Sequence, residues 1–462
     1  MNLFFKFGYS CRSGKNKCSI MVLENTDLSK VISLLENKEN VFLTGYAGTG
    51  KSYILQELKK RYKSKLILTS TTGISAYNIG GSTIHSWAKV GCMDAPIEDI
   101  IEELKFSQYR IKYMKNSILA IDEISMLSAY ELEYLDEYFR LLRENDSPFG
   151  GIQVLFIGDF LQLPPVATNQ NLKYSPTRAN FCFESPVWEK LDLQNVVLKK
   201  IYRQTDFEFA RTLCNFRIGI LKNEHMELLS TRFVKNEEYL DKKLHIFPKK
   251  NQVDAYNKKH LEEIDSSVVT YKQYDKISVP DNVLDEKKYK HMMFHTMNRY
   301  LPVEAQIDLK VGCRVMLLVN MDVENGLVNG SCGHVLELNP NDVIVNFDNG
   351  IVKKIRRSKF SYKENGKELA SRFQIPLKLA YAITIHKSQG MTFDEVVIDC
   401  SDSFAAGQVY VGLSRVKTLN GLYILGLNPK KVYADNNAKS FYINLAKEQN
   451  DKEKNLLFRK YI

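Results

Sequence analysis

Eight consecutive residues, Gly45-Tyr46-Ala47-Gly48-Thr49-Gly50-Lys51-Ser52, have the form G-x-x-x-x-G-K-[ST]. The spacing suits a chain that must wrap a polyphosphate. Glycines let backbone amides face inward onto phosphate oxygens at the positive end of a following helix. Lys51 would then reach the β- and γ-phosphates, and the Ser52 hydroxyl would ligate Mg²⁺. Gly45, Ala47, Gly48, Thr49, Gly50, Lys51 and Ser52 are therefore the candidate cradle, with ATP and Mg²⁺ as the expected ligands. Asp122-Glu123 follows an apolar run, where Asp122 could hold the metal through water and Glu123 could polarise an attacking water. In Gly158-Asp159-Phe160-Leu161-Gln162-Leu163-Pro164-Pro165, Gln162 is placed to sense a γ-phosphate. Arg203 and Arg415 are candidates for the positive charge that phosphoryl transfer needs, a contribution of about 10³ to 10⁵ in turnover. Taken without its neighbours, either arginine reads more readily as an ordinary surface residue.

Positioning such groups takes strands that end where a ligand can approach. Val41-Phe42-Leu43 reads as a short buried strand, Gly45 to Gly50 as a turn, and Tyr53 to Tyr62 as an amphipathic helix. Leu66-Ile67-Leu68, Ile118 to Ile121 and Val154 to Ile157 are further short apolar runs, each closed by polar or small residues. Alternation of such runs with helical stretches predicts a parallel sheet with helices on both faces, and ligands bind at the carboxyl ends of its strands. A second set begins near Val196-Val197-Leu198 and returns as Val396-Val397-Ile398 and Leu422 to Leu425. Between its halves, Gly312 to Ile355 alternates apolar and polar residues, with turn signals at Asn325-Gly326, Asn329-Gly330 and Asn349-Gly350. That pattern predicts a small β-barrel. Glu237 to Tyr300 has weak periodicity and yields no assignment.

At 462 residues the chain is long enough for two to four compact units. Its 44% apolar and 26% charged content excludes a disordered chain. The formal charge of +10 suits a polyanionic partner and equally a generally lysine-rich surface. Cysteines at 11, 18, 92, 182, 214, 313, 332 and 400 form no Cys-x-x-Cys pair, which argues against zinc and a disulfide framework and for buried thiols in a reducing compartment. Leu66 to Ala88 lacks charge but is rich in Thr, Ser, Gly and Asn, so no membrane span is expected. Met1 to Ile20 carries Lys6, Arg12, Lys15 and Lys17 without an acidic residue, which fits an organelle presequence or a short basic tail, with Met21 as an alternative start.

The order of motifs resembles the petite-integration-frequency (PIF-one-like) DNA helicases of superfamily 1B, from about Val41 to Tyr433. The P-loop is similar to the family's first motif. Thr71-Thr72-Gly73-Ile74-Ser75-Ala76, continuing through Asn78 to Ser86, resembles motif Ia, and Asp122-Glu123-Ile124-Ser125-Met126 resembles motif II. Glu131 to Arg143 with Pro148-Phe149-Gly150-Gly151-Ile152-Gln153 is similar to the element that sets this family apart. Gly158 to Val166 resembles motif III, and Arg203 falls where motif IV places its arginine. Ala382 to Gly390 resembles motif V, and Gln408 to Arg415 resembles motif VI. One departure concerns the base. The family carries a Gln some seventeen residues before the P-loop that contacts adenine, whereas this register falls near Leu28 in Asp27-Leu28-Ser29-Lys30, so nucleotides other than ATP become admissible.

The resemblance implies an α/β protein with two RecA-like parallel-sheet domains and a small SH3-like β-barrel inserted in the second. Residues 1–24 would be a basic tail and 25–195 the first domain, with 90–116 as its duplex-splitting wedge. Residues 196–300 and 366–450 would build the second domain, 301–365 the insert and 451–462 a C-terminal tail. Lys51, Asp122, Glu123 and Gln162 would come from the first domain and Arg203 and Arg415 from the second, with Gly390 also at the nucleotide. Thr72, Gly73 and His85 on one side and Thr384, His386 and Lys387 on the other would grip DNA phosphates, although either histidine also suits a satisfied structural role. The implied activity is an ATP-dependent, monomeric, intracellular 5′-to-3′ motor on single-stranded and tailed duplex DNA, in the nucleus or mitochondrion of a eukaryote or in a viral setting. A RecD-like or conjugative motor subunit and a non-catalytic single-strand-binding scaffold are the alternatives.

Overall fold

The computed structural model describes residues 26–448 except 92, 94, 105–116, 167–179, 235–239, 241–242, 280–284, 320, 323–324, 326, 328–329 and 365–366. Both expected tails, Cys11, Cys18 and Cys92, residues 105–116 of the expected wedge, and the turn residues 326 and 329 lie outside them.

Strands β1 (Val41–Gly45), β2 (Leu66–Ser70), β3 (Ser82–Thr83), β4 (Ile118–Asp122), β5 (Gln153–Gly158) and β6 (Gln194–Leu198) form one sheet in the order β3-β2-β4-β5-β1-β6. Every neighbouring pair is parallel. β1 and β4 are buried along their whole length, because helices cover both faces. Val41 and Leu43 face a cluster with Val31 and Leu35 of the helix Thr26–Glu36 and with Ile54, Leu55 and Leu58 of the helix Lys51–Tyr62. Phe42 points to the other face, against Phe160 (5.3 Å) and Trp188 (5.2 Å). There the helix Ala129–Arg143 buries Leu132, Leu135, Tyr138, Phe139 and Leu142, and a capping box between Ser128 and Glu131 starts it.

One expectation is corrected. Val196-Val197-Leu198 belongs to the first sheet as edge strand β6, paired with β1 from Val41↔Gln194 to Gly45↔Leu198. A short apolar run carries no mark of which sheet it will join, and here hydrogen bonding to β1 decides it.

The second parallel sheet starts at β7 (His245–Phe247). The chain then leaves it for β8 (Val269–Lys272), β9 (Tyr274–Ile277), β10 (Gln306–Leu309), β11 (Arg314–Leu317), β12 (Cys332–Leu338), β13 (Asp342–Phe347), β14 (Val352–Arg356), β15 (Ser358–Glu364), β16 (Lys367–Gln374) and β17 (Leu377–Leu379). It returns as β18 (Ala382–Thr384), β19 (Val396–Cys400) and β20 (Leu422–Leu427), giving the order β18-β7-β19-β20. Within the excursion, β14-β13-β12-β11-β17 is an antiparallel sheet whose inner face includes Val315, Leu317, Val335, Val343, Val345, Phe347 and Leu377. The Asn349-Gly350 signal does mark its β13–β14 hairpin, with Gly350 at φ +83°. Asn339 makes the preceding turn by donating its amide to Asp342 (3.0 Å). The fifth strand, β17, comes from beyond the 301–365 span. β15 instead pairs with β16, and β16 with β9, which lies in the stretch without an assignment from sequence. That stretch also holds the helices Lys250–Glu262 and Glu286–Tyr300.

After β20 the chain crosses back. The helix Asn436–Glu448 docks on the first sheet, stacking Phe441 on Phe183 at 4.5 Å and edge-on to Phe42 at 5.9 Å. Cys182, Cys214, Cys313 and Cys400 are buried free thiols, and Cys332 is half-buried. No helix among the described residues is long and apolar enough to cross a membrane.

Candidate nucleotide site and nucleic-acid face

The glycine-rich turn closes because its glycines adopt backbone conformations that side chains resist. Gly48 has φ +78°, and a Cβ there would lie 2.3 Å from Cβ of Arg203. Its carbonyl accepts from the amides of Tyr202 (2.8 Å) and Arg203 (3.2 Å), so the segment after β6 clasps the loop. Lys51 opens the following helix and turns back. Its Nζ donates to the carbonyls of Gly45 (2.8 Å) and Tyr46 (3.0 Å). Burial lowers its pKa, opposed by the carboxylates of Asp159, Glu123 and Asp122. A partly desolvated cation held by neutral carbonyls is suited to exchange them for a phosphate anion.

Asp122 ends β4 and is buried, its Oδ1 accepting from the Glu123 amide at 2.9 Å. Burial, and then the adjacent Glu123 carboxylate, push its pKa up to about 7. Glu123 sits at φ +53° and accepts from Nε2 of Gln389 at 3.0 Å, a contact between the two parallel-sheet units. Gln162 stays on the first unit, its Nε2 3.4 Å from Asp159.

Arg415 follows the helix Gln408–Leu413 and is buried. It donates Nε to the Val411 carbonyl (2.8 Å), Nη2 to Ser414 Oγ (2.8 Å), and Nη1 to the carbonyls of Ser388 (3.4 Å) and Met391 (3.3 Å). Burial, and then the charge of Arg203, lower its pKa to about 9. Arg203 donates Nη1 to the Ser414 carbonyl at 3.2 Å. Its place differs from the expected one: it lies on the connection after β6, bonded through its amide to one unit and through its side chain to the other.

These groups line one cleft of about 1310 Å³. It brings together Ala47, Gly48, Thr49, Gly50, Lys51, Ser52, Asp122, Glu123, Gln162, Arg203, Gly390 and Arg415. Gly45 contributes from behind, through its carbonyl to Lys51.

The candidate nucleic-acid residues fall in two groups, one at each sheet. Thr72 accepts from the Ser75 amide (3.3 Å) and Thr384 from the Lys387 amide (3.2 Å), so both hydroxyls cap short helices. Gly73, beside Thr72, is exposed. His85 lies 3.5 Å from the Glu131 carboxylate, which also takes part in the capping box. His386 stacks on Phe404 (5.7 Å, 20°), itself 55% exposed, and burial lowers the histidine pKa. Lys387 is exposed beside Lys378, whose ammonium is pushed down to about 7 by burial and then by the Lys387 charge.

Several neighbours were not singled out in the sequence. Tyr410 reaches across to accept from the Ala47 amide at 2.8 Å. Asp159 forms a bidentate pair with Arg217 (2.8 and 2.7 Å), sealed by Tyr46 and Tyr442 on the guanidinium faces at 4.5 and 4.8 Å. Burial opposes that pair, yet the mutual attraction holds Asp159 below and Arg217 above their ordinary values. Gln389, Tyr410 and Asp159 lie inside recognisable motifs. Arg217 and Tyr442 carry no local signal, since only the fold brings them to Asp159.

Two parallel sheets, with a glycine-rich phosphate-type loop on one and the arginine that follows a helix of the other closing on it, define a two-lobed P-loop nucleotide-binding protein with RecA-like units. Comparison with known proteins narrows this class. A family model described as PIF1-like helicase matches residues 25–221. Models for the 2B domain of the DNA helicase Pif1 and for a UvrD-like helicase C-terminal domain match 295–338 and 379–423. The chain is 36% identical over 446 residues to the ATP-dependent DNA helicase PIF1 of Danio rerio, covering 94% of this chain and 66% of that protein. It is 33% identical over 420 residues to the ATP-dependent DNA helicase Pif1 of Bdellovibrio bacteriovorus, covering 90% of each. The Pif1 helicase of Candida albicans superposes with a TM-score of 0.79 at 31% identity, over 92% of this chain and 100% of that one. Bacteroides Pif1 bound to single-stranded DNA gives 0.75 at 33% identity, over 93% and 98%. The chain belongs to the PIF1-like helicase family. It spans about two thirds of the length of the fish and frog relatives.

Proposed function

We propose that this protein is a DNA helicase that couples Mg²⁺-dependent ATP hydrolysis to 5′-to-3′ travel along single-stranded DNA. The observation that carries the reading is the meeting of Gln389, Arg415 and Tyr410 from the second unit with Glu123 and the phosphate loop of the first. Bond-breaking in the cleft then alters contacts between the units.

The loop amides and Lys51 would bind the β- and γ-phosphates, exchanging the Gly45 and Tyr46 carbonyls for phosphate oxygens. Glu123 would orient the attacking water and take its proton, while Arg203 and Arg415 neutralise charge on the transferring group. Gln162 would report loss of the γ-phosphate to the Asp159–Arg217 pair. Asp122 and Ser52 fit a hard divalent cation, for a buried carboxylate with a raised pKa and a hydroxyl line the same cleft. Mg²⁺ there supplies charge neutralisation on the phosphates. Thr72, Gly73 and His85, with Thr384, His386 and Lys387, would hold the DNA backbone in alternation. The sheet β14-β13-β12-β11-β17 is read as the SH3-like insert, supported by the 2B-domain match to residues 295–338.

The test is phosphate release stimulated by single-stranded DNA and lost in Lys51→Ala, together with unwinding of a 5′-tailed but not a 3′-tailed duplex. Unwinding from the 3′ tail would reverse the polarity. DNA binding without phosphate release would favour a scaffold.

A further inference from the structure

The helix Glu286–Tyr300 holds two of the chain's eight histidines, His291 and His295, one turn apart. One face of this helix is committed to the sheet beneath it. Met293 and Met297 are buried against Ala370 of β16, with Ile277 of β9 beside them. Phe294 lies under the Arg372 guanidinium at 5.4 Å, and Arg372 is fixed in turn by Asp275 (2.9 Å) and Asn298 (2.7 Å). A helix turns by about 100° per residue, so the positions two before each buried methionine face the opposite way. His291 and His295 accordingly stand exposed on the solvent side.

Their rings meet there. The two Nε2 atoms are 3.2 Å apart, and the ring planes cross at 68°. An ion bound to both nitrogens at about 2.0–2.1 Å, with the nitrogens 3.2 Å apart, would see them at an angle of about 100°, between the square-planar and tetrahedral values. The spacing His-x-x-x-His on one helix face thus brings two imidazole nitrogens into one coordination sphere with the backbone as it stands.

The surroundings select the kind of ion. Lys287 and Lys288 stand one turn before His291, and the carboxylate of Glu286 is paired with Lys290. Among the described residues no group of three or more His, Cys, Asp or Glu side chains could share a metal, so the rest of the sphere falls to water. Mg²⁺ and Ca²⁺ require oxygen ligands, which this pair does not supply. Imidazole suits copper, nickel and zinc, and a given nitrogen site holds Cu²⁺ most tightly. Two protein ligands are fewer than the four of a structural zinc centre, so folding does not wait on the ion.

We propose that His291 and His295 form a surface site for a borderline divalent transition-metal ion, Cu²⁺ before Ni²⁺, with water completing its coordination. The bound ion ties consecutive turns of the helix that packs on β9 and β16. The site differs from the one expected for Mg²⁺ in the cleft by its nitrogen ligands, and the two fill independently.

The experiment measures Cu²⁺ and Ni²⁺ bound to the full chain by equilibrium dialysis near neutral pH, with excess Mg²⁺ present throughout. The wild type is expected to bind one equivalent more than the double variant His291→Gln/His295→Gln, and to hold it more tightly as Cu²⁺ than as Ni²⁺. His295→Gln alone should weaken that equivalent about tenfold or more, since even disturbing the surroundings of a metal ligand costs that much. Adding Thr296→His to His295→Gln restores the histidine count but carries the second ring round the helix, and the lost affinity should not return. Equal binding by the wild type and the double variant overturns the proposal and leaves a hydrogen bond between two rings. Tight binding by the shifted pair, or displacement of the ion by Mg²⁺, overturns it as well. The electron paramagnetic resonance spectrum of one equivalent of Cu²⁺ on the wild-type chain gives the answer without any variant. Two imidazole nitrogens are expected on the ion, and an environment of oxygen or thiolate alone overturns the proposal.

Discussion

The Arg415 guanidinium donates to three backbone carbonyls, and the charge of Arg203 acts on it more strongly than that of Glu123. A cation so placed gains from an anion arriving beside it, which is what an arginine serving phosphoryl transfer requires. Arg415→Ala is expected to lower kcat about 10³-fold with a small effect on nucleotide affinity, measured by single-turnover phosphate release. A change confined to KM would assign it to ground-state binding. Asp122 makes the complementary case. Its folded pKa lies near 7 against an ordinary 3.8, because burial and Glu123 disfavour the carboxylate. Between about pH 4 and pH 7 the folded chain holds a proton that the unfolded chain has lost, so this group's contribution to stability declines as pH rises through that window. Asp122→Asn should accordingly raise Tm at pH 8 without Mg²⁺ while abolishing turnover. If Asp122 holds Mg²⁺, proton and metal compete for one carboxylate. The Mg²⁺ concentration for half-maximal rate is expected to rise as pH falls below 7, about tenfold per unit at the limit, and to be overcome by excess Mg²⁺. A pH-independent Mg²⁺ requirement would remove Asp122 from the metal site.

At the scale of elements, short stretches do their work through unusual backbone. The segment Pro148–Gly151 ties the helix Ala129–Arg143 to β5, with the Phe149 amide donating to Asp136 at 2.7 Å. Gly150 has φ +59°, and a Cβ there would come within 2.4 Å of the Phe139 carbonyl oxygen. Gly150→Ala is expected to cost more than about 1 kcal/mol, read as a lower urea midpoint at unchanged slope. An unchanged midpoint would mean that the helix end shifts freely. The short helix Ile385–Ser388 presents Lys387 to solvent, and its Thr384 cap fixes the direction. If Lys387 meets a phosphate, Lys387→Ala should weaken DNA binding on all sequences alike and flatten the log–log salt dependence by about one unit. An unaltered slope would place Lys387 off the DNA path.

For the whole molecule, the Asp159–Arg217 pair and the helix Asn436–Glu448 join the two sheets. Asp159 directly follows β5, Arg217 ends the helix Phe207–Arg217, and Tyr442 from the C-terminal helix donates to the same carboxylate at 3.2 Å. Three distant stretches thus share one buried charge pair directly behind Gln162. Arg217→Met strands a carboxylate in the interior, and a loss of about 3 to 5 kcal/mol in unfolding free energy is expected. Adding Asp159→Leu should recover much of it, because replacing both charges by apolar groups removes the unpaired anion. A double variant no more stable than the single one would show that the pair is needed for packing.

The residues that gather at the cleft were legible because the chemistry proposed for them depends on local spacing. A turn that cradles phosphate must be glycine-rich and run into a helix, and a carboxylate at a strand end must follow an apolar run, so Lys51 and Asp122 announced themselves. The β13–β14 hairpin was legible for the same reason, its Asn349-Gly350 turn being a local conformational demand. Pairing across the sequence had no such signature. β6 joining the first sheet, β17 completing the antiparallel sheet from beyond its expected boundary, β9 reaching β16, and Tyr442 reaching Asp159 are contacts between residues far apart in the chain. Hydrogen bonds and buried area satisfied by distant partners leave no periodicity at either end, and only the folded arrangement chooses among the apolar segments that could have supplied them.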